Sequence, residues 1–279
     1  MRKRIVVWLW TLLFAGVFFI SLPKVGRGVF ARADNPYGWQ KIASYTTYYD
    51  TGDRGRCQNI AVAAMLIDGI TLQAYGEFSF NATVGKRTQE AGFREAKIIQ
   101  NGEYVLGVGG GVCQVSTTLY NAALLAGLSA TEYHPHSLRV GYISPSRDAM
   151  VSSSSDLKLY NPHAHPVFLS AKTKEGSVCV TFFGENEGYR YEIASHILAE
   201  ILPPEPIVKE GEKEEILRLA KNGAKSEAFL SCYKGNALVY KKRLRVDEYR
   251  PIQGIIGKKI AKETNKITPN ACLFFAKVL

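Results

Sequence analysis

The run from Gly107 to Asn121 constrains this chain more than any other stretch: Gly107, Gly109, Gly110 and Gly111 precede one cysteine, Cys113, and then a segment patterned as a helix. Apolar residues at Val115, Leu119, Ala122, Ala123 and Ala126 keep helical spacing and Gly127 closes the run, which places Cys113 in the first turn. Glycine lets the backbone take positive φ and lets another molecule approach the main chain, while a helix start offers unpaired N–H groups at the positive end of its dipole. Such a place lowers a thiol pKa and can hold an oxyanion, so the stretch reads as the centre of a reactive site.

With 279 residues, 46% of them hydrophobic, the chain can bury a substantial core. Its formal charge of +10 favours an anionic neighbour: nucleic acid, an acidic membrane surface or cell-wall polymer. The N-terminus discriminates among these. Arg2, Lys3 and Arg4 precede an uncharged apolar run from Ile5 to Leu22, long enough to cross a bilayer, with its basic flank on the side expected to stay cytoplasmic. Residues 1–24 therefore read as a transmembrane helix, giving a single-pass membrane protein with an extracytoplasmic domain. The competing reading is a secreted protein cleaved near Ala31-Arg32-Ala33. Nucleic acid is set aside, because no aromatic platform accompanies the basic residues and the chain is exported.

Residues 25–41 read as a juxtamembrane linker. Beyond it, Ile42 to Tyr49 has strand composition, and Asn59 to Ile67 reads as a buried helix stopped near Gly69. Leu72 to Phe80 and Lys97 to Leu106 read as extended, the second turning at Asn101-Gly102. Leu138 to Ile143, Leu157 to Tyr160, Val167 to Ala171 and Val178 to Phe183 look like successive strands. The expectation is an α+β fold, a mixed β-sheet domain with a few helices over residues 42–192. Pro203, Pro204 and Pro206 mark a stiff linker over 193–212. Residues 213–262 read as a small C-terminal β module with a hairpin from Phe229 to Tyr240, and residues 263–279 remain unassigned.

Five cysteines, at 57, 113, 179, 232 and 272, include no C-x-x-C pair, and their odd number leaves a free thiol unless the chain dimerises through it. Cys113 is either a buried core residue or a nucleophile, and a nucleophile needs a base and an orienting group. His134 and His136 flank Pro135, an extended backbone would turn both rings to one side, and either can serve as the base. Asp148, Asp156 or Asn161 can orient it. His163 and His165 repeat the H-x-H pattern, so a metal site built from the two pairs has to be weighed. No H-E-x-x-H, familiar carboxylate spacing or nearby second cysteine supports it, and the expectation is neither metal nor cofactor. The glycine run also matches a G-x-G nucleotide loop, but the supporting acidic residue is missing.

Ala43 to Tyr49, Gly76 to Asn81, Gly109 to Asn121, His134 to Ser137, Asp148-Ala149, and Asp156-Leu157 with Asn161 together resemble the VanW domain in the same order, over about residues 42–185. Its name comes from a gene in some vancomycin-resistance clusters, an association that gives no activity by itself. The resemblance implies a bacterial cell-envelope protein and peptidoglycan L,D-transpeptidation through a cysteine nucleophile. On that basis Cys113 would be the nucleophile, and His136, in the shared His-Ser step, is a better base candidate than His134; Asp148 completes the candidate catalytic residues. Gly109, Gly110, Gly111, Gln114, Ser116, Thr117 and Asn81 would form the oxyanion and substrate-binding surroundings. The chain departs from the usual pattern at Tyr75, where proline is common, and at Tyr133, where arginine often stands. The expected partners are peptidoglycan stem peptides, with anionic wall polymers for the basic residues of 241–262. A rival reading is a non-catalytic peptidoglycan-binding protein in which Gly107 to Cys113 is a recognition loop and the cysteine is structural.

Overall fold

The computed structural model describes residues 38–100, 102–211 and 213–258. The expected anchor at 1–24, most of the linker at 25–41, Cys272 and the tail at 263–279 lie outside them. Among the described residues no helix is long and apolar enough to cross a membrane.

The first part of the chain runs β1 (Gln40–Tyr48), α1 (Arg54–Ile67), β2 (Ile70–Leu72), β3 (Glu77–Ser79), α2 (Phe80–Val84), β4 (Glu95–Gln100) and β5 (Glu103–Val108). It continues through α3 (Val112–Leu125), β6 (Ser129–Glu132), β7 (Lys158–Tyr160), β8 (Val167–Lys174) and β9 (Ser177–Gly184). The main sheet is antiparallel in the order β1-β9-β8-β2. In β9, Val178, Val180 and Phe182 are buried while the residues between them are half-buried, the alternation of a strand with one face on a core. α1 and α3 cover that face with Ile60, Ala63, Ala64 and Ile67 from one and Val115, Leu119, Ala122 and Ala123 from the other. The alanines let the helices close on each other and on the sheet, and each fully buried Leu or Ile contributes about 1.5–3 kcal/mol. β3, β7 and β6 form a second small sheet, and β4 pairs with β5 as a hairpin.

The sheet-rich α+β architecture agrees with the sequence, but Leu72 to Phe80, expected as extended, is broken by a turn at Ala74 and Tyr75, and two further segments differ. Leu138 to Ile143, expected as a strand, is irregular: Leu138 is buried, yet the segment pairs with no sheet. Its apolar pattern reflects side-chain packing without a neighbouring strand edge. The linker expected from residue 193 begins later, because β10 (Tyr189–Ile201) runs to Ile201 and the strand-free stretch that follows is Leu202 to Pro206. The prolines end the strand there, since they lack the N–H that a ladder needs.

β11 (Ile207–Glu210), β12 (Glu215–Arg218), β13 (Gly223–Lys234), β14 (Ala237–Tyr249) and β15 (Ile255–Lys258) complete the C-terminal module. One of its sheets is antiparallel, β10-β13-β14, and the other is mixed, β11-β15-β12. The module shares the first part's core: Leu230 belongs to it, with Tyr191, Ile193 and Leu244 packed against it. Gly127 shows how close this joint is, for a Cβ there would meet the Tyr191 hydroxyl oxygen at 2.8 Å.

Candidate functional site

α3 is buried along almost its whole length, so its polar side chains must find partners inside the protein. Asn121 Nδ2 donates to the Arg147 carbonyl at 2.7 Å, and Arg147 Nε donates back to Asn121 Oδ1 at 3.0 Å. One turn nearer the N-terminus, Thr117 Oγ1 accepts the Ala149 N–H at 3.0 Å while Ser116 Oγ donates to the Ala149 carbonyl at 2.6 Å. One turn further, Cys113 Sγ lies 3.3 Å from the Val151 carbonyl oxygen and 3.5 Å from its nitrogen. Four helical residues advance about 6 Å and two extended residues about 6.6 Å, so positions 121, 117 and 113 stay in step with 147, 149 and 151. Residues between these face the other way: the Asp148 carbonyl accepts from Arg245 Nη1 at 2.8 Å, and Met150 N–H donates to the His134 carbonyl at 2.8 Å. The polar face of the helix thereby fixes the Asp148 segment relative to the thiol.

Asp148 Oδ2 accepts from His136 Nδ1 at 2.6 Å and from the His136 backbone N–H at 2.7 Å, with both side chains buried. Two donors from one residue on one oxygen hold the ring plane, and they leave Nε2 as the nitrogen free for chemistry. Burial works against a charged Cys113, but the hydrogen bond and charge of His136, the Val151 backbone and Arg87 together lower its pKa. Burial also disfavours the imidazolium, yet the Asp148 hydrogen bond and Cys113 outweigh it and push His136 up to about 9. Asp148, against its own burial, is held below the usual carboxylate range by His136, Arg245 and Tyr249. These directions favour the thiolate–imidazolium form of the pair over its neutral form.

A family profile described as "VanW like protein" matches residues 55–183, from α1 to β9, and Cys113, His136 and Asp148 fall within it. The chain carries a VanW domain. "Uncharacterized protein YoaR" of Bacillus subtilis (strain 168) is 37% identical over 165 residues, which is 59% of this chain and 53% of that protein. The match thus spans about half the length of that relative. A solved structure described as "Crystal structure of HP0197-G5" is 13% identical, covering 25% of this chain and 96% of that one at a TM-score of 0.14.

Within the VanW domain the glycines are required by space as well as by φ. Gly111, the N-cap of α3, has φ 106°, and a Cβ there would meet Arg56 Cγ and Ile60 Cγ1 of α1 at 3.0 Å. A Cβ on Gly110 would lie 2.6 Å from the Lys97 carbonyl oxygen of β4. The close approach that these glycines permit is thus by the chain's own α1 and β4. The Gly109 N–H is already taken by the Arg94 carbonyl at 3.0 Å.

The other expected site residues are bound to protein groups. Gln114 accepts from Arg56 Nη2 at 2.6 Å and donates to Thr47 and Tyr48, tying α3 to α1 and β1. Asn81 donates to the Ser152 and Ser155 carbonyls and accepts from Arg87 Nη2 at 2.5 Å. Gln114, Ser116, Thr117 and Asn81 therefore brace the thiol, the Asp148 segment and Arg87. His134 does not join His136: its Nε2 lies 3.1 Å from Glu132 Oε1 and its side chain is 38% exposed. Four groups that the sequence reading missed surround the centre: Arg87, Tyr142, Arg245 and Tyr249. No local motif marks them.

Asp156 and Asn161, the other orienting candidates, serve turns instead. Asp156 accepts from Ser79 Oγ at 2.5 Å and from the Asn81 N–H, and Asn161 donates to the Leu72, Gln73 and His165 carbonyls. His163 and His165 come together with Glu187, whose Oε1 lies 3.5 Å from His163 Nδ1 and 3.0 Å from His165 Nε2. These three can reach a common ion. His163 Nε2 donates to the Ala126 carbonyl at 3.1 Å, and contact with Glu187 accounts for the two rings as they stand.

Proposed function

We propose that this chain is a cysteine acyltransferase of the bacterial cell envelope, held at the outer face of the membrane and acting on peptidoglycan stem peptides. The observation that carries the reading is the line Cys113, His136, Asp148: a thiol of lowered pKa, an imidazole of raised pKa and a buried carboxylate holding that imidazole by Nδ1.

The Cys113 thiolate attacks a peptide carbonyl carbon of the donor stem, forming a tetrahedral oxyanion at the start of α3, where the helix dipole favours negative charge. The C–N bond then breaks, and the His136 imidazolium gives its proton to the departing amine of the terminal residue. The acyl group remains as a thioester on Sγ. An amine of a neighbouring stem attacks this thioester, His136 takes the proton released, the new amide forms and the thiolate is restored. Water in place of the amine would make the same machinery a hydrolase. Arg87 sets a positive charge beside the thiol, which suits a donor carrying carboxylates.

The test is an intact-protein mass spectrum after exposure to a tetrapeptide-stem donor. Wild type should gain the mass of the donor minus its terminal amino acid, and Cys113→Ala should gain nothing. Unchanged muropeptide profiles between the two proteins would sink the enzymatic reading. Sacculus binding that survives Cys113→Ser, with no acyl-enzyme on wild type, would favour a wall-binding module.

A further inference from the structure

We propose that the C-terminal β module is part of the catalytic site, with Tyr249 and Arg245 of β14 acting as positioning residues that fix the Asp148 carboxylate behind His136. This rests on the reading of Cys113, His136 and Asp148 as the reacting line. The VanW match ends at residue 183, whereas β14 begins at Ala237, so the proposal joins two parts of the chain that sequence patterning separates.

Asp148 has two carboxylate oxygens with different tasks. Oδ2 faces His136, as described above. Oδ1 accepts the Tyr249 hydroxyl at 2.5 Å, and the same hydroxyl accepts the Ser146 N–H at 2.6 Å. Arg245 Nη1 holds the Asp148 carbonyl at 2.8 Å, and its Nη2 lies 3.9 Å from Oδ1. Arg245 is itself fixed by Asp247, through Nε to Oδ2 at 2.5 Å, with its guanidinium 5.2 Å from the Tyr133 ring centroid. Without the module, one carboxylate oxygen of a buried aspartate would lose its donor, and the carboxylate would be free to turn about χ2.

The segment carrying these groups is sewn to the module at several points. Ser137 accepts the Arg250 N–H at 2.8 Å, and Tyr133 donates its hydroxyl to the Leu244 carbonyl at 3.1 Å. Ser146, buried and at φ 61°, shares a hydrogen bond of 2.7 Å with Ser226 of β13. A non-glycine residue in the left-handed region costs on the order of 1 kcal/mol and persists only where its surroundings impose it. Here those surroundings are the module's Tyr249 and Ser226. Burial, then Asp148, raise the Tyr249 pKa, so its hydroxyl stays protonated and remains a donor.

Positioning and simple docking make different predictions. The charged and titratable groups acting on Cys113, His136 and Asp148 are Arg87, Tyr142, Arg245 and Tyr249, with Arg56 acting on Tyr142 and Asp247 on Arg245. The experiment follows the pH dependence of Cys113 alkylation in the full chain by peptide mass spectrometry, which needs no substrate. Tyr249→Phe should move the midpoint of the Cys113 labelling profile about one unit to higher pH. In the Asp148→Asn background the same substitution should change nothing further. Ser226→Ala, which loosens the same joint away from Asp148, should leave the profile at its wild-type position. A wild-type profile for Tyr249→Phe, an equal effect of Tyr249→Phe with and without Asp148, or a shift for Ser226→Ala as large as that for Tyr249→Phe would each overturn the proposal. Failure to find a thioester with stem peptides, while the shift and its dependence on Asp148 persist, would remove the peptidoglycan reading and leave the positioning role standing.

Discussion

The chain contains two His-x-His segments, and the fold puts them to opposite uses. In His134 to His136 the rings part: His134 goes to Glu132 near the surface, and His136 goes inward to Asp148. In His163 to His165 the rings stay together, stacked with centroids 5.2 Å apart, and both approach Glu187. The difference lies in the carboxylates. The Asp148 side chain is 1% exposed, while that of Glu187 is 37% exposed. Water competes for Glu187 and screens it, whereas Asp148 must be satisfied by protein donors, and Coulombic attraction at an effective dielectric near 20 is about four times that in water. The buried pair goes with a raised His136 and a lowered Cys113 thiol. Spacing alone does not decide what each imidazole meets; the fold gives His136 a buried carboxylate partner.

The largest effect expected from this contrast is at His136. His136→Ala should lower acyl transfer by about 10²–10⁴-fold, the range for loss of a general acid–base, while His165→Ala leaves it unchanged. Steady-state assays on the two variants check this. Equal losses would erase the distinction between the pairs.

Next comes pH. Thioester formation with loss of an amine requires protonated His136, so its rate should fall as pH rises through about 9, and at the acid end as Cys113 takes up a proton. Folding stability carries the same sign. The folded state keeps the His136 proton to about 9, above the value of about 6.5 in an unfolded chain. That contribution is complete below about 6.5 and is lost as pH climbs through about 9. Urea titrations should show the loss in wild type and not in His136→Ala.

A smaller, purely structural effect is expected at Gln114. Its amide reaches Arg56, Thr47 and Tyr48, so Gln114→Ala would leave buried groups unpaired at a cost of about 1–3 kcal/mol. Chemical denaturation reads the cost directly. A loss of acylation with unchanged stability would mean instead that Gln114 contacts substrate.

How much of this was legible in the sequence depends on how local each signal is. α3 and the place of Cys113 in its first turn follow from the 3.6-residue period and the flanking glycines, and strand composition located β8 and β9. The pairing of His136 with Asp148 was a choice among candidates, because the intervening segment forms no regular element and has no period to read. Tyr249 and Arg245 were illegible: they stand 101 and 97 residues from Asp148, in a strand whose neighbouring lysines and arginines read as a basic patch for anionic wall polymers. The glycines were found for one reason and are needed for another as well. Their pattern signals close approach, but not that the approaching body is the chain's own α1 and β4.

The smallest effect belongs to His134, and it is the sharpest check on the comparison because it shares a motif with His136. Its Nε2 reaches Glu132, which also pairs with Lys158 at 2.8 Å and accepts the Asp156 N–H at 2.9 Å. Lys158 stands first among the groups that depress Glu132, to about 2, so this carboxylate keeps its partners when His134 is lost. What His134 gives the site is its backbone carbonyl, bonded to Met150 N–H, and alanine supplies that equally well. His134→Ala should therefore change stability by no more than about 0.5 kcal/mol and leave the pH profile of Cys113 labelling in place. A shifted profile would mean that both histidines of the segment act on the thiol, and that burial of the carboxylate partner does not separate a base from a surface ring.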